Sequence, residues 1–227
     1  DSLPFAVEAE AFTPFIPLNA DDSGIPGFVM RYTVRNLSEK PADVSICGSL
    51  SNVCGFLSYD NIDLLRLSGD VCNETVRGAL NGVFCTSHDI PQNDYSFGTL
   101  ALTTPDQQAT IKTNWVDGGW WDGAEDLWRD LREDGLLEEI SDHGAIGSQL
   151  TATGSRKVGS VCINHHFAPG ESYTYAFYFT WSFPNRYHGW EPPVPFDRHP
   201  ELPVVRNYYA KQFPDALAAA EYLNSNL

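Results

Sequence analysis

Basic side chains are scarce in this sequence: 14 lysines and arginines stand against 30 aspartates and glutamates, a formal charge of −16 over 227 residues. Such a surface repels polyanions, so neither nucleic acid nor an anionic membrane is expected as a partner. Nowhere do 18 apolar residues run together, and no basic-then-apolar leader opens the chain. No membrane span or signal peptide is therefore expected, and the chain as given reads as soluble, its compartment open. A phosphate loop, a dinucleotide fingerprint and a Ser-His-Asp motif are all missing, and Gly118-Gly119 has no G-x-G-x-x-G frame around it, so no cofactor is expected. Five cysteines, Cys47, Cys54, Cys72, Cys85 and Cys162, include no C-x-x-C pair, which argues against zinc. Buried reduced thiols are the first expectation and a disulfide within Cys47 to Cys85 the second. His165 and His166 are adjacent and would face opposite sides of a strand, while His88, His143, His188 and His199 are scattered; no metal is expected. Among the 30 carboxylates no pair is singled out by spacing, so no catalytic residue is assigned.

Aromatic rings, by contrast, are abundant: 13 Phe, 10 Tyr and 6 Trp. Their default role is packing, and their second is stacking on the C–H faces of sugars. The stretch Ser172 to Tyr187 concentrates them. As an extended chain it puts Tyr173, Tyr175, Phe177, Phe179 and Trp181 on one side and Thr174, Ala176, Tyr178, Thr180 and Ser182 on the other. With no charge from Ser172 to Asn185, it reads as a strand covered on both faces and central in its sheet, ended by Pro184.

Further strands follow from alternation. Phe5 to Phe12 reads as half-buried with an acidic outer face; Phe28 to Asn36 and Asp43 to Asn52 read as a hairpin. Thr75 to Leu80 and Gly82 to Thr86 read as a second hairpin turning on Asn81-Gly82. Phe97 to Thr103, Thr110 to Trp115 and Gly159 to Phe167 complete the set, and Val53 to Asp70 reads as irregular. Asp21-Asp22 lacks graded calcium-loop spacing and suits a self-capping turn. The sequons Asn36-Leu37-Ser38 and Asn73-Glu74-Thr75 are short enough to arise by chance. One helix is expected from Ala124 to Asp134, with Asp122 as N-cap, Leu127, Trp128 and Leu131 on one face and Gly135 as its stop. Residues 188–204 hold five prolines and suit a stiff linker; 205–227 suit a helical tail that needs a surface for Leu217, Ala220, Tyr222 and Leu223. The fold class is thus mainly β: a large antiparallel sandwich over 1–187, one short helix in a loop, and a C-terminal helical tail.

Several phrases together resemble a known family: Thr13 to Ser23, Arg31 to Asn36, Trp120-Trp121-Asp122 to Gly135, Thr180 to Tyr187, and Asn207 through Ala216 to Leu223. They are similar to the N-terminal domain of glycoside hydrolase family 116, the bile-acid β-glucosidase or non-lysosomal glucosylceramidase type. The resemblance implies a β-sandwich that precedes a helical toroid and leads into it through the tail. It also implies a retaining β-glycosidase whose nucleophile and acid/base lie in that toroid, so neither is carried onto a residue of this chain. Expected partners are that helical catalytic domain, in the same protein or a complementary chain, and a glycan or glycolipid head group. Two loops mix ring faces with planar polar groups and are the candidate carbohydrate contacts: Trp115, Trp120, Trp121 and Asp122 in one, Asn185, Arg186, Tyr187 and Trp190 in the other. Packing against the catalytic domain is the alternative for both loops, and an independent carbohydrate-binding module the alternative for the chain.

Overall fold

A computed structural model of the chain describes residues 3–59, 65–67, 69–116, 124–139, 157–188 and 204–227. In chain order they form β1 (Phe5–Phe12), α1 (Ala20–Ser23), β2 (Gly27–Asn36), β3 (Ala42–Ser51), β4 (Phe56–Tyr59), β5 (Leu65–Leu67), β6 (Val71–Val76), β7 (Asn81–Ser87), β8 (Thr99–Thr104), β9 (Thr110–Lys112), α2 (Glu125–Asp134), β10 (Val158–Phe167), β11 (Ser172–Ser182), β12 (Asn185–Tyr187), β13 (Val204–Arg206), a 3-10 turn (Tyr208–Lys211) and α3 (Ala216–Asn226). Among the described residues no helix is long and apolar enough to cross a membrane.

One antiparallel sheet runs β1-β2-β11-β8-β7-β6, and a second of three strands, β3-β10-β9, faces it. The aromatic strand β11 is central, with Tyr175 opposite Tyr32 on one flank and Trp181 opposite Leu100 on the other. Alternation decides what each face meets. Val34, Leu102, Tyr175 and Phe177 of the larger sheet pack with Val161, Ile163 and Phe167 of β10 between the layers, and none is more than 1% exposed. Tyr175 also donates its hydroxyl across the gap to the Val44 carbonyl at 2.8 Å, so the one polar atom of that ring is satisfied.

β2 and β3 are not the hairpin expected of them. Both edges of β2 are taken, by β1 and β11, while β3 pairs with β10; the chain therefore changes sheets between Asn36 and Ala42. Asn36, fully buried, builds that corner. Its amide nitrogen donates to the carbonyls of Lys40 and Ala168, and its Oδ1 accepts from the Ser38 backbone. Its own backbone bonds Glu171 and Gly170, where β10 crosses to β11, so one side chain ties both corners. An asparagine consumed in this way has no amide to offer a glycan. Asn73 is spent similarly, donating to Thr113 O and Asn114 Oδ1 at 2.7 and 3.2 Å.

The second expected hairpin exists, but its turn spans residues 77–80, and Asn81-Gly82 already belongs to β7. Gly82 is needed for close approach: a Cβ there would run into the Leu102 carbonyl and the Thr103 Cα of β8. Because that obstacle is backbone, Gly82→Ala should destabilise the domain by about 3 kcal/mol, read as a lowered urea midpoint at unchanged m-value.

Other differences have equally local causes. β1 is exposed along most of its length, with only Phe5 and Phe12 partly covered; it edges a six-stranded sheet that, among the described residues, is faced by a sheet of three strands. The segment taken as irregular contains the β4–β5 ribbon. In α2, Leu127 is buried and Leu131 packs beside it, but Trp128 is 61% exposed, since one residue along a helix is 100° around it. Gly135 ends α2 in the left-handed conformation at φ 80°, as expected; the N-cap, however, is Ala124, without a side-chain cap bond. Asp122 lies outside the described residues. All five cysteines are free thiols.

The C-terminal helix finds its surface on the outer face of the larger sheet. Ala216, Ala219, Ala220 and Leu223 are its buried residues, a stripe at i, i+3, i+4, i+7. Thr180 Oγ1 donates to Ala216 O at 2.7 Å, and the Ala216 N–H donates to Thr99 Oγ1 at 2.9 Å. Asp215 caps α3 by accepting from Ala218 N at 2.8 Å, a service Pro214 just before it does not obstruct. Asp21 and Asp22, rather than forming only a self-capping turn, each accept a hydroxyl at 2.6 Å, from Tyr208 and Tyr222 respectively. The acidic pair thereby fastens the tail to the start of β2. β12 and β13 pair antiparallel; most of the stiff linker expected over 188–204 lies outside the described residues.

Candidate functional site

The described members of the two candidate loops lie on opposite outer faces of the sandwich. Trp115 sits under α2, against the three-stranded sheet: it packs on the cluster of Leu127, Leu137 and Cys162, and its indole N–H donates to Ser160 Oγ at 2.7 Å. Asn185 is on the other face, buried, with its amide nitrogen donating to the carbonyls of Gln92 and Asp94 at 2.7 Å each. Arg186 is exposed, and the Tyr187 ring leans on Tyr95 at 4.9 Å. Trp120, Trp121, Asp122 and Trp190 lie outside the described residues.

Beside Asn185 a groove of about 830 Å³ opens between the outer face of the larger sheet, the β12–β13 ribbon and the tail. Phe84 and Phe97 offer ring surface there, and Asn93, Arg206, Lys211 and Asp215 offer polar groups. The arrangement can hold a small polar molecule with apolar faces.

Carboxylates suited to glycoside cleavage are a separate matter. Among the described residues, buried Asp126 and half-buried Asp130 converge on Lys112, whose Nζ lies 3.2 and 3.0 Å from them. Asp126 also accepts from the Val116 N–H and from Arg129, and Asp130 from the Glu138 N–H. Both are spent on pinning α2 to β9. Asp89 and Glu171 have displaced acidities, and both are displaced downward. Asp89 is lowered by hydrogen bonds from Ser87 Oγ and the Asp70 backbone, Glu171 by the Ala168 N–H and His165. A general acid for glycoside hydrolysis must be shifted the other way. Elsewhere burial pushes the Cys54 thiol up to about 12, which marks it as a packing group rather than a nucleophile.

A feature that alternation did not reveal is the loop before α1. Phe15 is 77% exposed, Ile16 48% and Leu18 109%, yet the loop is firmly framed. The Ile16 N–H donates to Ser23 Oγ at 2.8 Å, Ser23 Oγ donates back to Ile16 O at 2.9 Å, and Asn19 N donates to Ile16 O at 3.0 Å. Leu18 holds φ at 65°, a left-handed conformation that costs a side chain about 1–2 kcal/mol. Three apolar side chains thus stand exposed together on a braced loop. The sequence signal was there in Pro14-Phe15-Ile16-Pro17-Leu18, apolar residues between and after prolines that cannot enter a sheet interior.

One protein-family model matches residues 1–227, the whole chain; its description is beta-glucosidase 2, glycosyl-hydrolase family 116 N-term.

Proposed function

Since the chain belongs to glycosyl-hydrolase family 116, as the N-terminal domain, we infer that it is the non-catalytic β-sandwich of a retaining β-glycosidase of the β-glucosidase type. It supports a helical catalytic domain and walls part of its cleft. The family match carries the reading, and the braced apolar loop at Phe15, Ile16 and Leu18 supplies a surface for the contact. Neither Asp126 nor Asp130 is available for chemistry, because Lys112 occupies both. Glucosylceramide or a related glucoside as substrate belongs to this same proposal and rests on the family alone.

The loop provides the test. In the full-length protein, Phe15→Asp combined with Leu18→Asp should lower aryl-β-glucosidase activity and the thermal midpoint together. A weakening of domain docking by about 1.4 kcal/mol corresponds to roughly tenfold in the docking equilibrium. The isolated 227-residue chain should unfold as before, since both side chains are exposed. Unchanged activity and midpoint in the full-length variant would count against this surface as the dock.

A second reading, an independent module for glycans or glycolipid head groups, draws on the groove beside Asn185, where ring faces meet planar polar groups. Saturable sugar binding by the chain alone, lost on Arg206→Ala or Phe97→Ala, both in the groove lining, would favour it.

A further inference from the structure

Cys72, Glu74 and His88 show no ligand spacing in the sequence; the β6–β7 pairing brings them together. Cys72 lies opposite Thr86, and Glu74 opposite Phe84. Alternation therefore puts Cys72, Glu74 and Thr86 on one face, and His88, two residues past Thr86, extends the row. The thiol sulfur, a carboxylate oxygen and an imidazole nitrogen all lie within 4.8 Å of one another, with Cys72 Sγ 4.0 Å from Glu74 Oε1. β6 is an edge strand, and Glu74 and His88 are exposed while Cys72 is half-buried, so the cluster is open to ions from solvent.

These donors are otherwise idle. Among the described residues Glu74 forms no salt bridge and His88 no hydrogen bond, whereas His165 and His166 are committed to Glu171 and Asp43 at 3.0 and 2.8 Å. Next to His88, the Asp89 carboxylate accepts from Ser87 Oγ and the Asp70 N–H, on a surface already at −16 overall.

The geometry points to a divalent transition-metal site of the zinc class, with Cys72 thiolate, Glu74 carboxylate and His88 imidazole as ligands and a fourth position left to water. A mixed S, O and N set suits zinc, whereas calcium and magnesium call for oxygen alone. Tetrahedral bonds of about 2.0–2.3 Å set ligand atoms roughly 3.3–3.8 Å apart. The contraction required is about 1 Å, within the rotamer reach of two exposed side chains. Phe84, opposite Glu74, also lines the groove beside Asn185, which places the ion at that groove's margin.

The test is dialysis of the 227-residue chain against Zn²⁺ and then metal-free buffer, with bound zinc measured by elemental analysis. The native sequence should retain one equivalent; Cys72→Ser and His88→Ala should bind about tenfold more weakly or worse, and His166→Ala should match the native chain. Co²⁺ in place of Zn²⁺ should give a thiolate charge-transfer absorption in the native protein that is missing from Cys72→Ser. Equal thermal midpoints without metal show that the variants are folded. Equal zinc retention by all four proteins, an adventitious ion only, would overturn the proposal, and so would no retention by the native chain.

Discussion

Lys112→Met should destabilise the domain by about 3–5 kcal/mol, the effect of removing one partner from a buried ionic cluster. Lys112 is 1% exposed, and its ammonium is the counter-ion of Asp126 and Asp130 beneath α2. Methionine fills a similar volume, so the loss comes from two carboxylates left without their charge partner rather than from a cavity. Arg129 remains on Asp126 but is 69% exposed and compensates little. Combining Lys112→Met with Asp126→Asn and Asp130→Asn should recover most of the loss, because the charges then leave together. Urea unfolding of the native chain and the two variants measures this. A loss below about 1 kcal/mol for Lys112→Met would place the cluster with solvated surface pairs, and α2 would need another anchor.

Leu223→Ala should cost about 3 kcal/mol, within the range for truncating a buried leucine. Leu223 is 1% exposed and packs with Ile25, Phe213 and Ala219. Alanines elsewhere on the stripe bring the helix backbone close to the sheet, so the leucine fills the remaining space and little can collapse into the gap. How the loss appears is as informative as its size. If α3 is part of the sandwich, the whole transition moves down as one step, seen alike by far-UV circular dichroism and tryptophan fluorescence. A separate early transition in the helical signal would make the tail an independent unit docked on the sheet.

How much of this was legible in the sequence depends on the range of the interaction concerned. The aromatic strand was readable because period-2 patterning and a lack of charge are local, and its central place follows from needing cover on both faces. The Gly135 stop was readable for the same reason, but of the four α3 residues expected to need cover only Ala220 and Leu223 are buried, beside Ala216 and Ala219. Which strand pairs with which was not readable. β2 and β3 look like a hairpin, but their true neighbours are β11 and β10, more than a hundred residues away, and the deciding residue, Asn36, looks like any turn asparagine. Gly82 shows the same limit, since its turn-like dipeptide conceals a close crossing with β8. Asn185, picked for its planar amide, spends that amide on two carbonyls of a loop some ninety positions earlier in the chain. The Cys72, Glu74 and His88 cluster also depends on strand register, which spacing along the chain does not encode.

The claim that the sandwich supports chemistry done elsewhere is tested most directly by aryl-β-glucoside turnover, measured for this chain alone, for a separately produced family-116 catalytic domain, and for the two mixed. The account predicts no turnover above buffer from the chain, and a rise in the catalytic domain's activity when the chain is added. Saturable turnover by the 227-residue chain alone would contradict it.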